Sequence, residues 1–488
     1  LLLSGNAWAT QRAFLMISVV AILFARGRRT PPFSLLATIA LCLLIMNPLA
    51  FFQPGFQLSF AGVAGILAWL PCWQRPLNRL PGTIRWPLTL MLTTTAATLA
   101  TAPATLWHFH QFAPAGLLTN LIAIPLIAWG AVPLGLISMA ALPFSSLLAD
   151  WGLLLSAKLV TFALSIVSII CKWPGLAAVP FYLTASSLIL LIGALIFLLP
   201  FGSKKCHWLC RLAILLITLG TAWLAKPHIA DFQVTALSVG QGDATLVSLA
   251  DDVHYLVDGG GLTGSSIDTG EQLIAPALGR MGINHLQGVI LTHNHPDHSS
   301  GLTYILRRLP VEHFYFADEA VMLAPQLQEV LQQQHVTVHQ IDEGWSQIHK
   351  SASQTFSLFA PSQNARDIND RSIVVFAGQQ GDGVLLTADL GKAGLQQLFT
   401  AGIPEPVTLL KLPHHGSRHN QPEFYLDWLK PTATFVSSGH GNTYGFPHQQ
   451  VIEACSERQV PLFRTDQQGM LIFYTDNGRW QSQTGKAL

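Results

Sequence analysis

The chain has 488 residues, half of them apolar and only 11% charged, with a formal net charge of +1. This composition is too apolar for an ordinary soluble protein, and the net charge says nothing about partners because it averages two unlike halves. The length allows about three domains, but the composition changes once, which predicts a membrane domain in residues 1–226 and a polar domain in residues 227–488. Because the chain begins with Leu rather than Met, we expect an amino-terminal part to be missing.

The first half is a series of apolar runs, and a bilayer span takes roughly 17–25 residues. The runs predict about seven or eight spans. Residues 56–70 form a short run that is either re-entrant or buried among other helices. Residues 113–142 contain Pro125 and Pro133, so this run is either one kinked span or a broken helix facing a cavity. The runs lie at residues 11–25, 33–52, 56–70, 86–106, 113–142, 151–171, 177–199 and 207–225.

Basic residues between the runs orient this half by the positive-inside rule. Three loops on one side carry them, and we expect that side to be cytoplasmic. Lys172 lies on the opposite side and is the one disagreement. With this orientation, the last span leaves residues 227–488 outside the cytoplasm. The loop residues are Arg26, Arg28 and Arg29, then Arg75, Arg79 and Arg85, then Lys204, Lys205 and Arg211.

Four polar side chains in this half are candidates for lining a pathway: Gln57, Asn120, His108 and His110. Polar residues are costly inside a membrane, which is why they often mark function there. For any one of them, a hydrogen bond between helices is the commoner explanation.

The strongest chemical signal in the second half is the segment Thr292-His293-Asn294-His295-Pro296-Asp297-His298. It follows residues 288–292, which have the pattern of a short buried strand. In an extended loop His293 and His295 project to one side, while Asp297 and His298 open a helix. The segment can therefore offer ligands to two neighbouring metal ions, and imidazole with carboxylate favours zinc, manganese or iron. A histidine-rich surface turn is the weaker alternative.

Three other strand ends carry residues of the same kind. Asp258 could orient a ligand histidine, although alone it reads as a turn residue. Asp389 could bridge two metal ions, although alone it reads as a helix N-cap. Of the adjacent pair His414 and His415, one can bind metal while the other faces substrate. Strand ends that meet at one edge of a sheet would make these residues one site.

These patterns together resemble the ComEC family of competence proteins over nearly the whole chain. The family usually has Asp where Ser238 stands and often has His where Phe446 stands, a role that His448 could cover. The family's amino-terminal part, with its small DNA-binding domain, is not in this sequence. The matching segments are Asn47-Pro48-Leu49, residues 55–60, 108–112 and 117–125 in the first half, and Gly240-Gln241-Gly242-Asp243, Asp258-Gly259-Gly260, Asn369 with Ser372, residues 386–389 and 411–417, Asn442 with Tyr444-Gly445, and Arg464-Thr465-Asp466 in the second.

The resemblance implies a polytopic α-helical membrane domain followed by an α/β metallo-β-lactamase-like domain, an αββα sandwich. It implies a bacterial inner-membrane channel that takes up DNA as a single strand in transformation. The domain on the periplasmic side would be a metal-dependent nuclease that hydrolyses the strand not imported. Other parts of the DNA-uptake machinery would be partners, and a homo-oligomer is left open.

The resemblance and the residues together give an expected site with two divalent ions, zinc or manganese. His293 and His295 would hold one ion, while Asp297, His298 and His415 would hold the other. Asp389 would bridge them, and a water between the ions would attack phosphate in line. The catalytic candidates are Asp297, together with His414 or His448 as the group that contacts phosphate or protonates the leaving oxygen. Supporting residues are expected at Asp243, Asp258, Asn369, Ser372, Ser417 and Asn442.

Two alternatives remain for the function. The outer domain could guide DNA at the pore without catalysis, or the chain could be a membrane-bound metallohydrolase of other phosphodiesters. The intact segment 293–298 argues against the first alternative. The polytopic half argues against the second, because a single helix would suffice as an anchor.

Overall fold

The computed structural model describes residues 8–27, 31–199, 207–261, 267–317, 323–365, 367–476 and 479–485. The chain divides into two compact units, Leu1–Lys226 and Pro227–Leu488. Four basic residues used to orient the membrane half, Arg28, Arg29, Lys204 and Lys205, lie outside the described residues.

The first unit is helical. A short antiparallel pair, β1 (Gln111–Phe112) with β2 (Val179–Pro180), joins two of its loops. Its helices are α1 (Trp8–Ala25), α2 (Pro32–Met46), α3 (Pro54–Leu77), α4 (Gly82–Phe109), α5 (Gly116–Ala123), α6 (Val132–Ala141), α7 (Ser146–Cys171), α8 (Ala185–Phe197) and α9 (His207–Leu224).

Among the described residues, three helices are long and apolar enough to cross a membrane: Pro54–Leu77, Gly116–Ala141 and Ser146–Cys171. Four other apolar helices are shorter, with 10–17 residues in their apolar part. The run that begins at Phe56 is therefore part of a 24-residue helix, not a short segment. Many large apolar side chains of this unit are exposed, Met46 and Phe144 among them, as expected for surfaces that face lipid. The first unit is a membrane domain.

The helix Gly116–Ala141 is continuous but changes its pitch in the middle. Residues Ile124–Ala131 form a π-helical stretch between α5 and α6. Pro125 lies at its start and has no N–H to donate, which disturbs the regular ladder of helix hydrogen bonds. Of the two readings of run 113–142, the structure has the single span with a local irregularity.

The second unit contains two stacked β-sheets. One has eight strands in the order β17-β16-β3-β4-β5-β6-β7-β8, and the other has seven in the order β15-β14-β13-β12-β11-β10-β9. Neighbours pair in parallel from β5 to β8 and from β12 to β15, and are antiparallel elsewhere. The strands are β3 (Gln233–Ala236), β4 (Thr245–Leu249), β5 (Val253–Val257), β6 (Leu286–Ile290), β7 (Val311–Phe316), β8 (Thr337–Gln340), β9 (Gly344–Lys350), β10 (Gln354–Ala360), β11 (Val374–Gln379), β12 (Asp382–Leu386), β13 (Leu409–Lys411), β14 (Ala433–Val436), β15 (Leu462–Arg464), β16 (Met470–Asp476) and β17 (Arg479–Gly485).

The space between the two sheets is the main apolar core of this unit. It is filled by alternate residues of the strands, such as Val375 and Ala377 of β11, because successive side chains of a strand point to opposite faces. Across the interface Tyr255 stacks on Phe356, with ring centroids 4.2 Å apart.

Helices cover the outer faces of both sheets. Leu395, Leu398 and Tyr425 pack in the apolar cluster outside the seven-stranded sheet. On the other side, helices connect the parallel strands β5 to β8, and such crossovers lie on the face of their sheet. The unit is an αββα sandwich, as the resemblance implied. Its helices are α10 (Ala275–Met281), α11 (Pro296–Ser299), α12 (Leu302–Arg308), α13 (Pro325–Gln333), α14 (Lys392–Ala401), α15 (Pro422–Leu429), α16 (Gln449–Glu457) and α17 (Thr465–Gln468).

Candidate metal centre

The four strand ends singled out in the sequence meet at one edge of the sandwich. Asp258 and residues 293–298 leave the neighbouring parallel strands β5 and β6. Asp389 and residues 414–415 leave the neighbouring parallel strands β12 and β13. Carboxyl ends of neighbouring parallel strands lie at the same edge of a sheet, so the members of each pair are close. The stacking of the two sheets then brings the two pairs together.

A buried cluster of two carboxylates and two imidazoles forms where they meet. Ligand-type atoms of Asp243, His298, Asp389 and His415 all lie within 4.8 Å of one another. None of the four residues is more than 2% exposed. Nε2 of His298 and Nε2 of His415 each lie 3.5 Å from Oδ2 of Asp389. Asp297 lies beside the cluster, with its Oδ2 3.5 Å from Nε2 of His415.

Each imidazole of the cluster is fixed through its other ring nitrogen. Nδ1 of His298 donates to Oδ2 of Asp258 at 2.7 Å, and Thr292 donates to both oxygens of the same carboxylate. Nδ1 of His415 donates to the carbonyl oxygen of Ser437 at 3.0 Å. Both histidines therefore turn Nε2 toward the cluster, the arrangement that orients metal-binding imidazoles.

Lys411 is a charged member of the site that sequence reasoning missed. It is 2% exposed, and its Nζ lies 2.5 Å from Oδ2 of Asp243. The signal in the sequence was a single lysine in the apolar strand that leads to His414 and His415. Asp243, expected only as a supporting residue, lies within the cluster itself.

His293 and His295 lie next to this cluster but are engaged with each other. Nε2 of His293 is 3.0 Å from Nδ1 of His295. The ring of His293 is buried, and its centroid is 4.2 Å from that of His298. The pair is thus a second group of nitrogen atoms at the same edge, and its role as a ligand pair stays a prediction.

The adjacent histidines after β13 have different surroundings. His415 is buried in the cluster, whereas the side chain of His414 is 30% exposed, with Nε2 3.9 Å from Oδ2 of Asp389. The structure therefore places His415 inside the buried cluster and leaves His414 partly exposed beside it. It does not bring His448 into the cluster, because the ring of Phe446 lies between His448 and His415.

The turns that carry these side chains have unusual backbone conformations. Asp258, Ala388, His414 and His415 all have positive φ, between 45° and 61°. This region costs a residue other than glycine of order 1–3 kcal/mol, and it persists only where the surrounding structure enforces it. Close packing is part of that enforcement. A Cβ on Gly242, whose φ is +138°, would overlap the carbonyl oxygen of Asp297.

The remaining supporting residues serve different purposes. Asn369 and Ser372 belong to the turn before Ile373, whose amide donates to the carbonyl of Thr292 at 2.9 Å. Ser417 caps the turn that follows the adjacent histidines, accepting a hydrogen bond from the amide of His419.

The electrostatics divide the imidazoles into two classes. Burial lowers the pKa of His298, but the carboxylates of Asp258 and Asp389 raise it well above its ordinary value. Burial likewise opposes protonation of His415, yet Asp389 and Asp243 raise its pKa to about 10. Burial and the nearby His298 instead hold the pKa of His293 well below its ordinary value.

Two carboxylates of the site have lowered pKa values, whereas burial raises the pKa of Asp258. Burial would raise the pKa of Asp389, but His415 and His298 hold it well below its ordinary range. Burial also acts on Asp297, whose pKa is nevertheless lowered to about 2 by its contacts with His415 and His298. The cluster therefore contains ionised carboxylates at neutral pH.

The cluster fits a divalent metal ion. Among the described residues, Nε2 of His298, Nε2 of His415 and Oδ1 of Asp389 are buried without a hydrogen-bond partner. Such atoms are costly unless something satisfies them, and imidazole with carboxylate is a donor set that suits transition metals. Two stacked sheets in an αββα sandwich with this cluster at one edge define the metallo-β-lactamase class of fold.

In the membrane unit, two of the four pathway candidates are in contact. Nε2 of His108 on α4 lies 3.0 Å from Oε1 of Gln57 on α3. His110 ends α4 with φ 53°, and its ring lies against Tyr182. Asn120 is half-buried on α5. Gln57 also lines an open, mainly apolar cavity of about 820 Å³.

Both units are similar to known proteins. A Competence protein model matches residues 1–200, and a metallo-beta-lactamase superfamily model matches residues 237–440. The chain is 26% identical to ComE operon protein 3 of Bacillus subtilis (strain 168), over 98% of this chain and 62% of that protein. It is 26% identical to competence protein ComA of Neisseria gonorrhoeae, over 99% of this chain and 64% of that protein. Among solved structures, zinc-bound PqqB from Methylobacterium extorquens covers 47% of this chain and 97% of its own, with 12% identity and a TM-score of 0.35.

The first unit thus matches the Competence protein model and the second the metallo-beta-lactamase superfamily model, and the resemblance to the ComEC competence family is confirmed. The chain spans about three fifths of the length of the curated relatives that it matches.

Proposed function

We propose that this chain is an inner-membrane channel for DNA uptake whose second unit is a metal-dependent phosphodiesterase acting on the DNA strand that is not imported. The observation that supports it most is the set of buried, unpartnered ligand atoms of His298, His415 and Asp389 in the described part of a chain that also has a competence membrane domain. DNA as the substrate comes from the family, because a site of this kind alone also suits other esters.

The residues of the cluster have separable roles in this proposal. Asp243, His298, Asp389 and His415 would hold one divalent ion, and the pair His293 and His295 would contribute to a second. When bound, such ions lower the pKa of water and neutralise charge that develops on a phosphate.

Other side chains prepare the site for that chemistry. When the imidazole of His298 is neutral, its one proton is on Nδ1, because Asp258 accepts a hydrogen bond there. Nε2 then carries no proton and is directed into the cluster. The ammonium of Lys411 neutralises Asp243 in a place that water does not reach. His414, partly exposed at the mouth, is positioned to meet a phosphate oxygen of the substrate.

The direct test uses the whole chain, purified in detergent and loaded with manganese or zinc. We expect metal-dependent cleavage of labelled DNA, lost in Asp389→Asn and kept in Asp427→Asn, a matched change at an exposed carboxylate paired with Arg458. Turnover of bis(p-nitrophenyl) phosphate without DNA cleavage would favour a hydrolase of other phosphodiesters. Absence of both, with no metal bound, would favour a domain that only guides DNA.

The orientation across the membrane is part of the same proposal. Arg26 and the group Arg75, Arg79 and Arg85 support a cytoplasmic side for their loops, by the positive-inside rule. Residues 227–488 would then lie in the periplasm. An alkaline phosphatase fused after Leu488 should be active in cells, since this enzyme matures only outside the cytoplasm, whereas a fusion in the loop near Arg79 should be inactive. The reverse pattern would overturn the orientation.

The contact between Gln57 and His108 leads us to propose these two residues as part of the pathway through the membrane. A hydrogen bond between α3 and α4 satisfies both side chains, and Gln57 faces the cavity of the membrane unit. If they serve transport, Gln57→Leu should abolish DNA uptake in cells while leaving DNA cleavage by the purified chain intact.

A further inference from the structure

Beside the metal cluster, the loop from Gly439 to His448 presents a row of rings at the surface. Tyr444 is 61% exposed and stacks on Phe446, with ring centroids 5.7 Å apart and planes 13° from parallel. Phe446 in turn contacts both histidines that follow β13, at 5.8 Å from His414 and 6.0 Å from His415. The row therefore runs from open solvent to the ligand position of the cluster.

The loop that carries these rings is held in a fixed shape. The side chain of Asn442 donates to the carbonyl of Phe446 at 2.8 Å and accepts from its amide at 2.9 Å. The amide of His448 donates to the carbonyl of Gly416 at 3.0 Å, which ties the loop to the turn that carries His415. A ligand that binds this surface meets rings that are already ordered, and this lowers the entropic cost of binding.

Basic side chains lie along the same row. Arg418 and His419 are exposed, and the amide of Arg418 donates to Nδ1 of His448 at 3.3 Å. The ring of His419 lies 6.3 Å from that of His448, which in turn contacts Phe446 at 5.1 Å. A flat aromatic surface next to basic side chains suits a ligand with both planar rings and phosphates.

We propose that Tyr444 and Phe446 form a stacking platform for unpaired nucleobases, with Arg418 contacting the backbone, so that the substrate reaches the metal cluster as a single strand. The proposal rests on the proposed function for the nature of the ester, and adds to it the form of the nucleic acid. Bases paired in a duplex keep their faces covered by their neighbours, whereas each unpaired base can extend the stack that Phe446 and Tyr444 begin.

The test measures binding without cleavage, using the whole chain in detergent with excess chelator. The probe is a fluorescent oligothymidylate of about 12 nucleotides, compared with a strand of equal length that lacks bases and with a duplex. We expect the single strand to bind at least ~10-fold more tightly than either comparator. Tyr444→Ala should remove that advantage, and Tyr444→Phe, which keeps the ring, should retain it.

Arg418→Ala separates the two components of the surface. It should weaken binding of the strand with bases and of the strand without bases by similar factors, because it removes a phosphate contact and no stacking. Equal affinity of the wild-type chain for both strands, or an unchanged preference in Tyr444→Ala, would overturn the platform.

The outcomes also separate this inference from the proposed function. Metal-dependent cleavage of DNA together with no effect of Tyr444→Ala on binding would overturn the platform and leave the nuclease standing. A ring-dependent preference for the single strand in a chain that cleaves no phosphodiester would support the platform and reject the nuclease.

Discussion

The two groups of histidines at the candidate metal centre differ in how the fold prepares them. His298 and His415 are each locked through Nδ1, surrounded by carboxylates, and have raised pKa values. His293 and His295 contact each other, and burial lowers the pKa of His293. The first group has the surroundings of a strong cation site, whereas His293 contacts His295, the hydroxyl of Thr292 and the ring of His298. Although His293, His295 and His298 belong to one regular segment of the sequence, we expect them to contribute unequally to metal binding.

The largest expected effect comes from removing the carboxylate shared by the first group. Asp389→Asn keeps the shape of the side chain but removes the charge that faces His298 and His415. We expect metal affinity to fall by at least ~100-fold, since changing a residue that only orients a ligand already lowers metal affinity by about 10- to 100-fold. Titration of metal-stripped protein by calorimetry measures this change. An affinity close to that of the exposed-site control Asp427→Asn would remove Asp389 from the centre.

Comparing His298→Ala with His295→Ala tests the inequality of the two groups directly. His298→Ala should abolish tight binding, because it opens the cluster of four. His295→Ala should lower the metal content by about one equivalent and leave one ion tightly bound, if two ions bind in the wild type. Elemental analysis after dialysis gives both numbers. Equal losses in the two variants would mean that the groups act as one unit.

The pH dependence of metal binding should report the first group alone. Metal binds neutral imidazole, whereas His298 and His415 keep protons through neutral pH in the metal-free site, so binding must expel about two protons per ion at pH 7. Apparent affinity should therefore rise as pH rises from 6 toward 9, by up to about tenfold per unit for each proton released.

The same protons link pH to the stability of the metal-free protein. The raised pKa of His415 stabilises the fold fully below its ordinary value of 6.5, and this stabilisation is lost as pH rises through about 10. Calorimetric titrations of metal into the metal-free protein, in two buffers of different ionisation enthalpy, count the protons that metal binding releases. Release of no protons would show that the imidazoles are already neutral.

The smallest of these effects should come from Asp258, which touches the cluster only through His298. Asp258→Asn keeps a hydrogen-bonding group but loses the charge that favours the required tautomer, so we expect about tenfold weaker metal binding. The metal content at saturation should stay unchanged, which distinguishes it from His298→Ala. A loss of bound metal at saturation would instead place Asp258 among the ligands.

Local patterns in the sequence were sufficient for much of the fold. The apolar runs located the helices of the membrane unit, because their signal is composition over a long window. Short β-branched stretches followed by Asp258, residues 293–298, Asp389 or His414 located the strand ends, because alternation and turn residues are local. Even the run 113–142 showed its irregularity through Pro125, although its π-helical stretch depends on how the surrounding hydrogen bonds adapt.

The composition of the cluster was not local information. Asp243 precedes its strand, and Lys411 lies inside a different one, 168 residues later; only the packing of one sheet on the other brings them together as a buried pair. The positive φ of Ala388, His414 and His415 is likewise enforced by neighbours rather than favoured by residue type.

By itself, then, the sequence determined a two-part chain, a polytopic membrane domain followed by a metallo-β-lactamase-like domain, and the residue types of a metal site. Composition and spacing carry that information, since both are properties of neighbouring residues. Tertiary structure alone decided that His415 and not His414 lies in the cluster, that Phe446 separates His448 from it, and that Asp243 joins it with Lys411. Those are distances between side chains far apart in the chain, and they depend on how two sheets pack.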